Sequence, residues 1–193
     1  GMSVGMVGTD DDVVVAISID VAIELDGDTT LVTSGPSLIG DMGVGQVEGA
    51  AGDVTTDTDL PGMLGADGRL AIALPEAVPA GIYAKTALMQ LGLWEAVAHR
   101  LAPTDNVRAA LALVALGEAP LGVVYSTDAR AEPRVVVAGQ FSEDTHPPIR
   151  YPAAVVSDSP APDTAAAFVQ WLTSEDAEVV LESHGFLKPG PGE

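Results

Sequence analysis

The chain has 193 residues, with 28 Asp and Glu against 8 Lys and Arg, no cysteine and 47% apolar residues, a composition that describes a soluble, strongly acidic globular protein of one domain or two small ones. A formal charge of −20 repels phosphate backbones and anionic lipid, which excludes non-specific nucleic-acid and membrane-surface binding. Without cysteine there is no disulfide framework, thiolate nucleophile or Cys-ligated metal, and His99, His146 and His184 lack the short helical spacing of a metal pair.

Charge divides the chain unevenly. Residues 1–68 hold 13 acidic residues and no Lys or Arg, while 69–193 hold 15 acidic residues and all 8 basic ones. In the first third, Val13-Val14-Val15-Ala16-Ile17 and Thr30-Leu31-Val32-Thr33 read as short buried strands. From Gly40 to Asp59 neither period is clear, so the stretch reads as loop with at most a short strand or helix.

From Arg69 the punctuation is regular. Arg69–Leu74 reads as a strand ended by Pro75; Pro79 suits the first turn of a helix, and Ala80–Leu91 continues it up to Gly92. A second helix takes Thr104 or Asp105 as N-cap, places Val107, Leu111 and Val114 on one face and stops at Gly117. Leu121–Tyr125, Arg134–Ala138 and Ile149–Val156 read as strands, and Pro162–Thr173 and Ser174–Ser183 as two closing helices, the last ended by Gly185. Strands alternating with helices imply an α/β protein with βαβ units on a mainly parallel sheet. No stretch approaches the roughly 20 apolar residues of a membrane-spanning helix.

The chemistry in this layout concentrates at strand-to-helix turns, where ligands of open α/β sheets sit and where helix N-termini present unpaired N–H groups to anions. Leu74-Pro75-Glu76-Ala77-Val78-Pro79-Ala80-Gly81 is such a turn: its small residues let a ligand approach the backbone, and Pro79 leaves the flanking amides of Val78 and Ala80 as donors. The same residues also suit an ordinary βα loop with proline at the first helical position. Tyr125, ending an apolar strand before Ser126-Thr127-Asp128, is placed to aim its hydroxyl at the same edge, or to be a half-buried tyrosine with a satisfied hydroxyl. Glu175, Asp176 and Glu178 read as first-turn carboxylates supporting the last helix, Asp10-Asp11-Asp12 as an acidic lead-in, and Trp94 and Trp171 as packing residues. No nucleophile–base pair or metal constellation appears, so no catalytic residue, metal or cofactor is expected and the chain reads as a non-enzyme.

The stretch from Gly68 to Ala129, with VPAGIYAK, NVRAALALV and APLGVVYSTDA in order, closely resembles the second lobe of the periplasmic molybdate-binding proteins of ABC importers, and the resemblance continues through FSEDTH, YPAAVV and the terminal SHGF. It covers about two-thirds of the chain. The resemblance implies a periplasmic-binding-protein-like fold of two α/β lobes joined by crossing strands, with molybdate or tungstate held between them by neutral donors. Val78 matches a family position that offers its backbone amide, and Tyr125 the tyrosine whose hydroxyl reaches an oxyanion oxygen. It implies a membrane permease as partner and a periplasmic or extracytoplasmic location, although Gly1-Met2-Ser3-Val4 has no basic n-region of a secretory signal, which leaves a cytoplasmic one open.

The N-terminal third departs from the family pattern. The best partial match sets Val13–Asp20 against a later strand of the first lobe and Thr29–Pro36 against the first crossing strand, so both serine-bearing oxyanion loops are missing; a rival alignment makes Ser18 and Ser34 the surviving donors. The expected organisation is a reduced first lobe, residues 1–33 plus 150–193, and a second lobe, residues 34–149. Two functions follow: a working oxyanion-binding component of an importer, or a derived interaction or structural module without the oxyanion site. An uncovered sheet in the reduced lobe predicts a homodimer through the N-terminal segment, with Val13–Ile17 and Val21–Leu25 in the contact.

Overall fold

A computed structural model of the chain describes residues 29–34, 52–149, 151 and 153–186. The expected strand at 13–17, the segment 21–25, Ser18 and the acidic run at 10–12 lie outside them. The chain divides into two units, Asp28–Pro148 and a second one comprising Gly1–Gly27 and Ile149–Glu193.

In the larger unit, strand β1 (Thr29–Ser34) is followed by the two-residue strand β2 (Gly52–Asp53), helix α1 (Leu60–Leu64), strand β3 (Leu70–Ala73) and helix α2 (Pro79–Gln90). A short helix α3 (Trp94–Val97) and a 3₁₀ turn lead into strand β4 (Leu101–Thr104), helix α4 (Val107–Ala115), strand β5 (Leu121–Tyr125), helix α5 (Ser126–Ala131) and strand β6 (Val135–Gln140). These strands form one sheet in the order β2-β6-β1-β5-β3-β4. Only β1 runs against the others: it pairs antiparallel with β5 on one side and with β6 on the other, whereas β2–β6, β3–β5 and β3–β4 are parallel. Hydrogen bonding along both edges places β1 wholly in the larger unit, so the division falls at 27/28 and 148/149 where the sequence reading set 33/34 and 149/150.

The sheet is covered on both faces, which is why its strands read as unbroken apolar runs rather than alternating ones. Leu31, Leu70, Ile72, Leu121, Val123 and Phe141 pack with Leu60 and Leu64 of α1, Ala84, Ala87 and Leu88 of α2 and Val97 of α3. The intervening residues Val32, Ala71 and Val124 face the other way, against Ala110, Leu111 and Val114 of α4 and Ala129 of α5. The period-2 alternation of the strands thus sorts side chains between two helical layers.

Several local readings change. The N-cap of α4 is Asn106, whose Oδ1 accepts from the Ala109 N–H at 2.9 Å, rather than Thr104 or Asp105; Thr104 is held in β4, paired with Ala73. Strand β4 has no counterpart in the sequence reading; its Pro103, which has no N–H to give to a ladder, is tolerated because β4 lies at the sheet edge. The stretch Ile149–Val156 is not a continuous strand: among its described residues only Val155 forms a bridge, and Pro152 has no N–H to give to a ladder.

In the smaller unit, α6 (Pro162–Trp171) and α7 (Glu175–Ser183) bury Ala165 and Ala177, and Tyr151 meets Phe186 edge to face at 5.6 Å. Ser174 caps α7 by accepting from the Ala177 N–H, and Glu175, Asp176 and Glu178 occupy its first turn, complementing the positive end of the helix. Trp94 packs on the core beneath α2. Trp171 does not: it is 41% exposed and stacks on Phe168 at 5.9 Å.

Candidate functional site

The antiparallel β1 and its parallel neighbours bring three chain segments to one edge of the sheet. Tyr125 ends β5, Ala73 ends the adjacent parallel strand β3, and Thr29 begins β1 directly opposite Tyr125. At this edge the chain leaves β3 through Leu74 and four residues later reaches Val78, the N-cap of α2 in extended conformation, with Pro79 in the first turn. Tyr125 is likewise the N-cap of a helix, α5. Both residues singled out from the sequence therefore stand where strands β3 and β5 hand over to helices, which is where an α/β sheet offers N–H groups to a ligand.

The geometry of the VPAG turn explains its residue types. Gly81 approaches the end of β3 so closely that a Cβ there would lie 2.2 Å from the Ala73 carbonyl oxygen and 2.6 Å from that of Leu74. Only glycine allows α2 to start this near the sheet. The Val78 N–H donates to the Leu74 carbonyl at 3.0 Å, and the Ile82 N–H to the Val78 carbonyl at 2.9 Å. Pro79 has no N–H. The next two amides, of Ala80 and Gly81, lie in the first helical turn and have no acceptor among the described residues. The amide after Pro79 is therefore freer to meet a ligand than the one before it.

Electrostatics at the turn favour an anion. The first turns of α2 and α4 carry no acidic residue, and Glu76, the carboxylate nearest in sequence to the start of α2, is paired with Lys85, which also lies over the Trp94 ring at 5.3 Å. The net charge of −20 acts through solvent, where charges more than about 8 Å apart are largely screened at physiological salt. Asp128, in the first turn of α5, lines a hollow of about 260 Å³ with Arg108, Leu111, Ala112, Ala131 and Glu132. Burial holds its carboxyl above the usual range, only partly offset by Arg108 at 3.8 Å. Glu132 beside it is brought down to about 2 by its hydrogen bonds from Arg134.

The residue the sequence reading missed is Thr29. It is 1% exposed and its Oγ1 has no hydrogen-bond partner. Nothing in the local sequence marks it, because its position beside Tyr125 arises from pairing across the intervening chain. Ser34 ends β1 at the opposite end of the strand from Thr29. Among the described residues no group of His, Asp and Glu is arranged to hold a metal ion, and no helix is long and apolar enough to cross a membrane.

Comparison with known proteins places these features in a family. The family of bacterial extracellular solute-binding proteins matches residues 11–187. The chain is 48% identical over 119 residues to the molybdate-binding protein ModA of Escherichia coli, a match covering 62% of this chain and 46% of that protein. It is 34% identical to a Pseudomonas protein named aconitate isomerase, over 58% of this chain and 43% of the other. Among solved structures, the substrate-binding domain of a putative molybdenum ABC transporter from Clostridium difficile superposes with a TM-score of 0.63 at 27% identity, covering 86% of this chain and 65% of that one. The chain spans about half the length of the curated relatives it matches. The α/β architecture and the family match over most of the chain lead to one conclusion: the chain belongs to the bacterial extracellular solute-binding protein family.

Proposed function

We propose that the chain serves as the solute-binding component of an ABC importer and takes a tetrahedral oxyanion, molybdate or tungstate, at the carboxyl edge of β3 and β5. The main-chain N–H groups flanking Pro79 and the Tyr125 hydroxyl are the donors, with the Ala80 amide reaching the anion directly and the Val78 amide shared with or released from Leu74. The observation that carries this reading is the start of α2, whose first-turn amides have no acceptor among the described residues, beside the strand that ends in Tyr125. Neutral donors fixed at a helix N-terminus suit a dianion, since they supply partial positive charge and no proton or counter-charge of their own. The names of the E. coli and C. difficile relatives speak of molybdate binding and of a molybdenum ABC transporter, and the family is one of extracellular solute-binding proteins; an importer permease as partner and a periplasmic or extracytoplasmic setting belong to this proposal. Binding rather than catalysis is the proposed role, the isomerase name of one relative notwithstanding, because the groups proposed to meet the ligand are main-chain amides and a hydroxyl.

A second reading, an interaction or structural module without an oxyanion site, is favoured by one fact: the chain spans about half of its relatives' length, so donors contributed by the other half have no counterpart in the matched stretch. Isothermal titration with sodium molybdate, tungstate and sulfate separates the two. Binding is expected, and Tyr125→Phe should weaken it by about 0.5–1.5 kcal/mol, or more if a charged oxygen loses its donor. No heat and no thermal shift with millimolar oxyanions would refute the oxyanion reading and leave the module.

A further inference from the structure

We infer that Thr29 is a further donor to the bound oxyanion, its hydroxyl completing the set formed by the α2 amides and Tyr125. The inference rests on the oxyanion reading and adds a residue to its site. Thr29 is paired directly opposite Tyr125 in the β1–β5 ladder, and opposed residues of an antiparallel pair project to the same face with their Cα atoms about 4.5–5.5 Å apart. The face is identified by the next residues in step. Leu31 and Val123, two positions along from Thr29 and Tyr125, both pack in the layer that contains Ala84 and Leu88 of α2. Thr29 and Tyr125 therefore project toward the layer of α2 at the edge where that helix begins. Helix α2 also packs against β1.

The Thr29 hydroxyl is a paradox for the unliganded protein. Its side chain is 1% exposed and Oγ1 has no partner, an arrangement that costs free energy and that a valine of the same shape would avoid. Its main-chain carbonyl is employed by contrast, accepting from the Phe141 N–H at 3.0 Å. Helix α2 begins at the same edge, and its first-turn amides of Ala80 and Gly81 have no acceptor among the described residues. The β1–β5 register and the start of α2 thus bring a buried, unpartnered hydroxyl and two first-turn amides to one edge of the sheet, and a tetrahedral dianion is an acceptor at every oxygen.

The test compares wild type with Thr29→Val, Thr29→Ser and Thr29→Ala by titration with sodium molybdate and tungstate and by melting without ligand. Thr29→Val should lower oxyanion affinity by about tenfold or more while leaving the ligand-free melting temperature equal to or above that of wild type, because an orphan hydroxyl has been replaced by a methyl. Thr29→Ser should keep affinity within about threefold. A folded Thr29→Val that binds as wild type does overturns the inference and leaves the oxyanion reading intact. If Thr29→Val fails to fold, Thr29→Ala reports in its place, and unchanged affinity there overturns the inference equally. A wild-type protein that binds neither anion overturns both.

Discussion

Replacing Gly81 with alanine tests whether the start of α2 is pinned against β3. Helix propensity alone favours the change, since alanine is about 1 kcal/mol better than glycine inside a helix. The structure opposes it: the added Cβ would sit 2.2 Å from the Ala73 oxygen, 2.7 Å from its carbonyl carbon and 2.6 Å from the Leu74 oxygen. These are main-chain atoms at the end of a central strand, so no side chain can rotate away. Relief requires moving the first turn of α2 by about 1 Å to restore ordinary contact distances. Over-packing of this kind costs about 3 kcal/mol at the upper end of its usual range, so Gly81→Ala should destabilise by about 2 kcal/mol net and lower the melting temperature by roughly 4–8 °C. Because the same turn carries the Ala80 and Gly81 amides, oxyanion affinity should fall at least about tenfold. Ala80→Gly serves as control: it keeps the amide and should lose about 1 kcal/mol of stability while binding persists. Differential scanning calorimetry with and without molybdate reads both effects. A Gly81→Ala protein as stable as wild type or more so would show that propensity decides at this position and that the close approach does not hold.

Arg100 donates from Nε and Nη2 to the Gly68 carbonyl at 3.1 and 2.7 Å and reaches the carbonyls of Gly65 and Pro61 as well, fastening the end of α1 to the start of β3. Arg100→Met should cost about 1.5–3 kcal/mol in urea unfolding, and a change below about 0.5 kcal/mol would contradict the fastening. Asp128 has its folded pKa raised above 3.8 by burial, so its contribution favours the fold below about pH 3.8 and is lost as pH rises through the raised value. Asp128→Asn should therefore stabilise the protein at pH 7 more than at pH 4, and the reverse order in denaturant titrations would refute it. Glu132, lowered from 4.5 to about 2 by Arg134, acts with the opposite sign: its contribution is present above pH 4.5 and lost as pH falls toward 2, so Glu132→Gln should flatten that acid limb. Sedimentation should find a homodimer that becomes monomeric when residues 1–28 are removed; a monomer at high concentration would contradict the association inferred from Val13–Ile17 and Val21–Leu25.

Local chemistry in the sequence was sufficient for the elements whose causes are local. Leu121–Tyr125 is a strand at the residues read from its apolar run, and α2 begins at Pro79 because a missing N–H and a fixed φ suit the first helical position. Val78 and Tyr125 could be singled out for the same reason, since a βα turn rich in small residues and an aromatic ending a strand are visible without coordinates in space. What the sequence could not supply depends on partners far along the chain. Strand β4 forms despite Pro103 because β3 accepts it at an edge. Asn106 rather than Thr104 or Asp105 caps α4 because β4 holds Thr104 in the sheet. The Val78 amide is occupied by Leu74 while the Ala80 amide is not, a difference decided by how the turn folds back on β3. Thr29 reads as one more strand threonine until the β1–β5 register sets it opposite Tyr125 and buries its hydroxyl without a partner. Propensity and patterning act over a few residues and mark where donors can arise; only the pairing of distant strands decides which of them converge.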